Sequence, residues 1–308
     1  MLDPQGLYEV DEEAVARLLP SSVDEGTGPV LIHAIGGFVD AGSAGEVAVT
    51  HLLEADDVTR VVTFDADQLV DYRAKRATMT FSSDHWSDYD EPRLVIDHVR
   101  DAEGAGFLLL HGSEPDVQWE RMVAAVRDIV QRLGVSLTVG FHGIPMGIPH
   151  TRPLSVTAHA TRPELLGEHA SWFGTVKVPA SLGALLELRL GRAGHDAVGY
   201  SVHVPHYLAQ SSFPPAAVVA LESVQRVTGL DLRTGGLAAA SSEAVAEVER
   251  QVAESDEVAA VVRALEEQYD SFTRSVGRTS LLAESAPIPT ADELGDEFER
   301  FLAQQSGD

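Results

Sequence analysis

The chain has 308 residues, 48 of them acidic and 22 basic, for a formal charge of −26, and it has no cysteine. The missing cysteine excludes disulfides, thiolate metal sites, thiol nucleophiles and iron–sulfur clusters. So large a negative charge repels a phosphate backbone, and nucleic acid is not expected as a partner. Apolar residues make up 44% and charged ones 23%, an ordinary globular balance. The start, MLDPQGLYEVDEEAV, has no basic region followed by an apolar one, and no apolar run reaches ~18 residues. A soluble, cytoplasmic protein without a secretion signal or membrane span is expected.

In chain order, the residues up to Gly28 read as acidic and irregular, with a turn or two of helix over Glu12 to Leu19. The organising unit follows: a buried strand Val30–Ile35, a glycine-rich turn with Gly36, Gly37, Gly42 and Gly45, and a helix with an apolar side of Val47, Val49, Leu52 and Leu53. Asp40 or Ser43 can cap that helix. Val58–Phe64 reads as a second strand, Gln68–Arg73 as a short helix, and residues 72–90 as a long functional loop in which Thr78–Phe81 can form an edge strand. Gly106–Leu110 is a third strand. It leads into GSEPD, with Asp116 placed to cap a helix Val117–Leu133 that Gly134 closes. Val135–Val139 is a fourth strand. Residues 140–153, rich in proline and glycine, read as loop. Leu154–Ala158 is a fifth strand, and Val176–Pro179 can start a short one. Leu182–Leu190 is a helix, Ala197–Val204 a further strand, and Pro214–Thr228 a helix opened by two prolines and stopped by Gly229.

Strands and helices alternate over residues 30–228, which predicts a mostly parallel sheet between helical layers. After Gly235 only helices are read: Ala244–Val252, one marked by Val258, Val262, Leu265 and Phe272, and, past a polar linker at 273–289, a last one capped by Thr290 with a Leu294, Phe298, Phe301, Leu302 stripe. The expected division is residues 1–235 as an α/β/α domain and 236–308 as a C-terminal helical extension.

Several chemistries can be weighed on these residues. A dinucleotide turn aligns best on Asp40, Gly42 and Gly45, with Asp65 at the ribose position. Its loop is too long, and a carboxylate would face the pyrophosphate. A hydrolase elbow is approximated by Ala41, Ser43 and Gly45, but Ser43 at a helix start is equally a cap. Glu114 with Asp116 is a carboxylate pair beside a strand end, fit for acid–base work, although a capping Asp116 explains half of it. His203 with His206, and His150 with His159, have no recognised metal spacing, so no metal and no cofactor are expected. The sequence-derived candidate ligand or partner site is Gly36, Gly37, Asp40, Gly42, Ser43, Arg76, Glu114, Asp116, His142, His150 and Arg152.

Five motifs coincide in order: GFVDAGSAG, DYRAKRATM, LLLHGSEPDVQWERM, GIPMGIPHTRPLSVTAHAT and VPHYLAQSSFPPAA. Together they resemble the actinobacterial branch of the proteasome assembly chaperone family, the family of the second chaperone subunit, over roughly residues 28–228. The resemblance implies a three-layer α/β/α sandwich of the phosphorylase/hydrolase-like kind and self-association, with a trimer favoured. It also implies protein partners that include proteasome subunits, and no established catalytic residues. Some archaeal relatives engage the 20S particle through a C-terminal hydrophobic–tyrosine–any motif, and this chain ends Ser306-Gly307-Asp308 instead. Two functions stand side by side. One is a protein-binding, chaperone-like scaffold. The other is a nucleosidase-, phosphorylase- or hydrolase-like enzyme using a cleft among Gly36–Gly45, Arg73–Arg76, Glu114–Asp116 and His142–His150. Convergence of these loops on one pocket separates the two.

Overall fold

The computed structural model describes residues 3–19, 28–37, 39–55, 57–167 and 175–279. An eight-stranded sheet lies between two helical layers. In chain order its strands are β1 (Tyr8–Val10), β2 (Val30–Gly36), β3 (Val58–Phe64), β6 (Leu94–Arg100), β7 (Gly106–Ser113), β8 (Leu137–Met146), β9 (Val156–Ala160) and β10 (Ala197–Pro205). A separate hairpin is made of β4 (Met79–Ser82) and β5 (His85–Tyr89). The order across the sheet is β1-β3-β6-β7-β2-β8-β10-β9. The central β7, β2, β8 and β10 are parallel, and the flanking pairs are antiparallel. Helices cover both faces, so the expected α/β/α sandwich is the fold.

The helices are α1 (Glu12–Leu18), α2 (Ala44–Leu53), α3 (Trp119–Arg132), α4 (Leu182–Arg192), α5 (Pro214–Thr228), α6 (Ala238–Ala253) and α7 (Asp256–Thr279). On one face Ile32, Leu109, Val139 and Val202 pack against Ala44 and Ala48 of α2 and Ala217, Ala220 and Leu221 of α5. Alanines let these two helices lie close to the strands. On the other face Leu31, Leu108 and Leu110 meet Met122, Val126 and Ile129 of α3 and Leu186 and Leu190 of α4. Alternate residues of β2, Leu31 and Ile32, thus serve opposite cores, as a strand covered on both sides requires. No helix among the described residues is long and apolar enough to cross a membrane.

Four departures from the sequence reading have physical reasons. β6 was not expected, because LVIDHVR carries Asp97 and His98. Both are buried, and Asp97 takes bonds from Arg60 Nε (3.0 Å) and His111 Nε2 (2.9 Å). Second, β8 continues through GFHGIPM to Met146 instead of ending at Val139. Past Gly140 it pairs with β10 alone, so its other edge is open. The Gly143 N–H leaves the ladder there, and Pro145, two residues on, needs no donor on that side. Third, Asp116 does not cap α3: the capping position is Gln118, in a left-handed conformation. Fourth, the short helix read at Gln68–Arg73 is a single 3₁₀ turn over Ala66–Gln68. The helix read after Thr290 lies outside the described residues.

One row of residues runs straight across four strands: His33 on β2, Gly140 on β8, Gly199 on β10 and His159 on β9. The two imidazoles lie over the two glycines. A Cβ on Gly140 would stand 2.3 Å from His33 Cε1, and one on Gly199 would stand 2.0 Å from His159 Cε1. Gly183 of α4 closes over His33 from above, 3.3 Å from Cε1 by the same measure. Gly140→Ala should therefore cost about 1–3 kcal/mol by overpacking and lower the melting temperature by about 3 °C or more. Gly147→Ala, in open space, should leave it unchanged in the same calorimetric scan.

Candidate functional site

The carboxyl ends of β2, β7 and β8 bring together the first set of sequence-predicted residues. Gly36 O accepts from Glu114 N (2.8 Å), which sets the exit of β7 against the exit of β2. Gly37 lies directly over the Glu114 carboxylate, where a Cβ would be 2.8 Å from Oε2. Glu114 is buried, and its Oε1 accepts from Leu182 N (2.6 Å), the first residue of α4. An anion at a helix N-terminus is stabilised by the exposed N–H groups and the dipole, and here the anion is the protein's own. Lys75 Nζ donates to Glu114 O (3.1 Å).

Asp40 does the same for α2. Its carboxylate accepts from Gly45 N (3.0 and 2.9 Å), Glu46 N (3.2 Å) and Gly143 N (3.0 Å). Ser43 does not cap with its side chain; it adopts φ 49° and donates its N–H to Asp40 O (3.0 Å). Gly42 has φ 70°, donates to Ala209 O (3.0 Å) and accepts from Phe213 N (2.8 Å), stitching the turn to the start of α5. Asp116 accepts from Asp71 N (2.8 Å) and sits 3.5 Å from Lys75 Nζ, so it holds the loop before β4. Arg76 is exposed on that loop.

His142 lies next to the histidine row, with Ser201 Oγ 3.4 Å from its Nε2. Burial lowers its pKa, and neighbouring His159 adds to this while Asp40 opposes it. His33 is pushed down to about 4 by burial, then by His142 and His159. His203 is also pushed down to about 4 by burial, and its ring bonds Ser155 Oγ (2.9 Å) and Thr157 Oγ1 (2.8 Å). His159 Nδ1 is 2.8 Å from Glu187 of α4. His33, His142 and His203 are therefore neutral at pH 7, available to accept or donate a hydrogen bond but not to supply positive charge. No group of metal-ligating side chains is assembled among the described residues.

His150 and Arg152 stand apart, under α6 and α7. The Tyr207 hydroxyl accepts from His150 N (2.8 Å) and lies 2.7 Å from Nδ1. That pairing leaves the His150 Nε2 buried with no bond among the described residues. Arg152 grips Asp270 with two bonds of 2.8 Å and Glu266 with one of 3.2 Å. The charges hold its guanidinium pKa above the usual range. Tyr269 OH donates to Pro153 O (3.1 Å) on the same loop. Arg152 is therefore committed to α7 and is not offered to an anion.

The eleven candidates thus fall into separate groups. Gly36, Gly37 and Glu114 seat α4. Asp40, Gly42 and Ser43 seat α2. Asp116 holds the loop that carries exposed Arg76. His142 belongs to the sheet face, and His150 and Arg152 to the C-terminal helices. Two clefts, of about 280 and 210 Å³, lie at the opposite end of the sheet, lined by Val30, His98 and Gly106 in one and by His51, Asp101 and Arg233 in the other. The sequence reading missed Glu187 and Tyr207, whose partners are 28 and 57 residues away in the chain.

A family model described as "PAC2 family" matches residues 34–252. A Mycobacterium tuberculosis protein of unknown function, Rv2714, is 43% identical over 91% of this chain and 95% of its own, with a TM-score of 0.84. A Corynebacterium glutamicum protein of unknown function is 36% identical over 86% of this chain and 97% of its own, with a TM-score of 0.80. A M. tuberculosis protein described as a proteasome-assembly chaperone homologue, Rv2125, is 24% identical over 76% and 99%, with a TM-score of 0.70. No curated protein matches the sequence.

Two outcomes are expected from this geometry. His33, His98, His142, His150, His195 and His203 all have pKa values lowered by burial. The unfolded chain therefore takes up protons first. Stability is full above about pH 6.5 and falls as the pH drops toward about 4. His33 and His203 should each cost about 2 kcal/mol at pH 5. Urea unfolding at pH 7.5 and pH 5 measures the loss, and His203→Asn should flatten the slope. Separately, Arg152→Ala should speed amide exchange across Asp256–Thr279 while leaving β2, β7 and β8 protected, as read by hydrogen-exchange mass spectrometry.

Proposed function

Because the chain belongs to the PAC2 family, whose model spans most of its length, we propose that it is a protein-binding, assembly-chaperone-like protein that self-associates, with a trimer favoured, and acts on proteasome-related partners in the cytoplasm. The observation that carries this reading is the use made of the polar groups at the carboxyl ends of the strands. Glu114 accepts from the first N–H of α4, Asp40 accepts from Gly45 and Glu46 in α2 and from Gly143, and Arg152 is clamped to α7. An acid–base enzyme needs such groups turned toward a substrate. The relative described as a proteasome-assembly chaperone homologue adds a partner class to the same reading. In this view the α/β/α body of residues 1–235 is the binding platform and residues 236–308 are a C-terminal helical extension, whose α7 is bonded to the Arg152–Pro153 loop. The reading includes no catalysis, no metal and no cofactor, and neither nucleic acid nor membrane as a partner.

Co-expression of the full chain with the 20S α and β subunits of its own source, followed by native gel electrophoresis and mass spectrometry, tests this. A complex of the chain with free α subunits or half-assembled particles is expected, and none with the mature 20S particle once assembly ends. Absence of any such complex, together with turnover of a nucleoside or ester that Glu114→Gln abolishes, would replace the reading with the enzymatic one.

A further inference from the structure

Among the described residues, the β4–β5 hairpin carries four exposed large apolar side chains. In its register Met79 faces Tyr89 and Phe81 faces Trp86, so these four side chains share one side of the ribbon. They are 48%, 42%, 56% and 63% exposed. Phe81 and Trp86 pack edge to face, ring centres 5.1 Å apart, and offer their remaining surface outward. Tyr72, on the chain leading in, is 39% exposed. The other side of the ribbon carries Thr80 opposite Asp88 and Ser82 bonded to Ser87 (2.7 Å). The hairpin is thus amphipathic, yet it forms a two-stranded sheet of its own and does not extend the main one. A two-stranded ribbon is marginal in water without something on its apolar face. A contiguous exposed patch of this kind marks a contact surface.

Charge identifies what covers it. Residues 72–83 contain Arg73, Lys75 and Arg76 and no acidic residue. Residues 84–91 contain Asp84, Asp88, Asp90 and Glu91 and no lysine or arginine. The arm into β4 is therefore basic and the strand leaving the hairpin acidic. Lys75 is tied back to the body, but Arg73 and Arg76 are exposed, with no ion pair to any described residue. Two copies of a chain with charge −26 repel over most of their surfaces. This hairpin carries its own complement: the basic arm of one copy suits the acidic strand of the next, with the aromatic faces between them.

We propose that the β4–β5 hairpin is the surface on which one copy of this chain docks a second copy, aromatic face to aromatic face and basic arm to acidic strand. The proposal rests on the reading that the protein self-associates, and it names the surface that does it.

Sedimentation velocity of the full chain over a range of concentrations tests it, with four variants beside the wild type: Trp86→Ser, Arg73→Glu with Arg76→Glu, Asp88→Arg with Asp90→Arg, and all four charge reversals together. The wild type should sediment as an oligomer. The first three variants should raise the dissociation constant about tenfold or more, the scale of losing an interface anchor. The fourfold reversal should recover the wild-type value, because the swapped charges pair again. All the altered side chains are exposed, so the circular dichroism and melting temperature should not move. A wild type that stays monomeric overturns the self-association reading and this proposal with it. An oligomer that no variant disturbs overturns the hairpin alone. A fourfold variant that fails to recover overturns the charge pairing. Variants that keep the oligomer but lose the complex with 20S subunits assign the hairpin to a different partner and overturn the second copy as occupant.

Discussion

The carboxylate of Asp40 is the contact on which the central region depends. The chain leaves β2 through Gly36 and Gly37 and reaches α2 by way of Asp40. Asp40 then gathers the N–H groups of Gly45 and Glu46 from the first turn of α2 and that of Gly143 from the open edge of β8. One anion thereby satisfies orphan donors of a helix and a strand at once. Glu114 repeats the solution at α4, reaching Leu182 across 68 residues of sequence. Helix N-termini beside strand ends are where open α/β folds bind external anions. In this chain a carboxylate of the protein itself accepts from N–H groups at each of the two.

The same economy appears on the sheet face beside α4. An apolar side chain at Gly140 or Gly199 would be the ordinary choice for a buried strand. Glycine there makes room for the rings of His33 and His159 to lie flat on the backbone. Stacked this closely and removed from water, the His33 imidazole is costly to charge, because burial and then the neighbouring His142 and His159 act in the same direction. The result is a polar layer held by short bonds to Ser155, Thr157 and Glu187. Twelve histidines in a chain without cysteine suggest metal chemistry from composition alone. Here His33, His159 and His203 serve as packing with hydrogen-bonding tips.

Legibility in the sequence followed the range of the interaction. Val58–Phe64 and Pro214–Thr228 read correctly to the residue because periodicity, proline and glycine act within a few positions. β6 did not read, because the partners that make Asp97 tolerable in a core are Arg60 and His111, 37 and 14 residues away. Burial alone would raise the Asp97 pKa, but the bonds from His111 and Arg60 more than offset it and hold the carboxyl below the usual range. The candidate site behaved likewise. That Asp40 caps a helix is local and was among the alternatives. That Glu114 caps α4 and that Arg152 binds Asp270 are contacts across 68 and 118 residues, and no spacing rule reports them. Asp116 shows the opposite error: a correct residue type at a helix start, drawn instead to the N–H of Asp71.

The C-terminal helices extend the argument from single contacts to the whole surface. Among the described side chains of α7, Val262 and Leu265 are buried, while Val258 and Val261 are more than a third exposed. Apolar packing alone is thin for a helix of 24 residues. Its position is instead fixed by paired charges, Arg152 to Asp270 and Glu266, and by Tyr269 on Pro153. A bidentate guanidinium–carboxylate contact sets direction more firmly than it sets strength, because both partners stay wet. α7 is thus aimed across the loop that holds His150 and Arg152, with its outer valines left facing away from the body. The fold spends its polar residues inward, on helix ends and this clamp. Among the described residues, the exposed large apolar side chains include those of the β4–β5 hairpin, Val176 and Val178, and Val258, Val261 and Phe272 of α7.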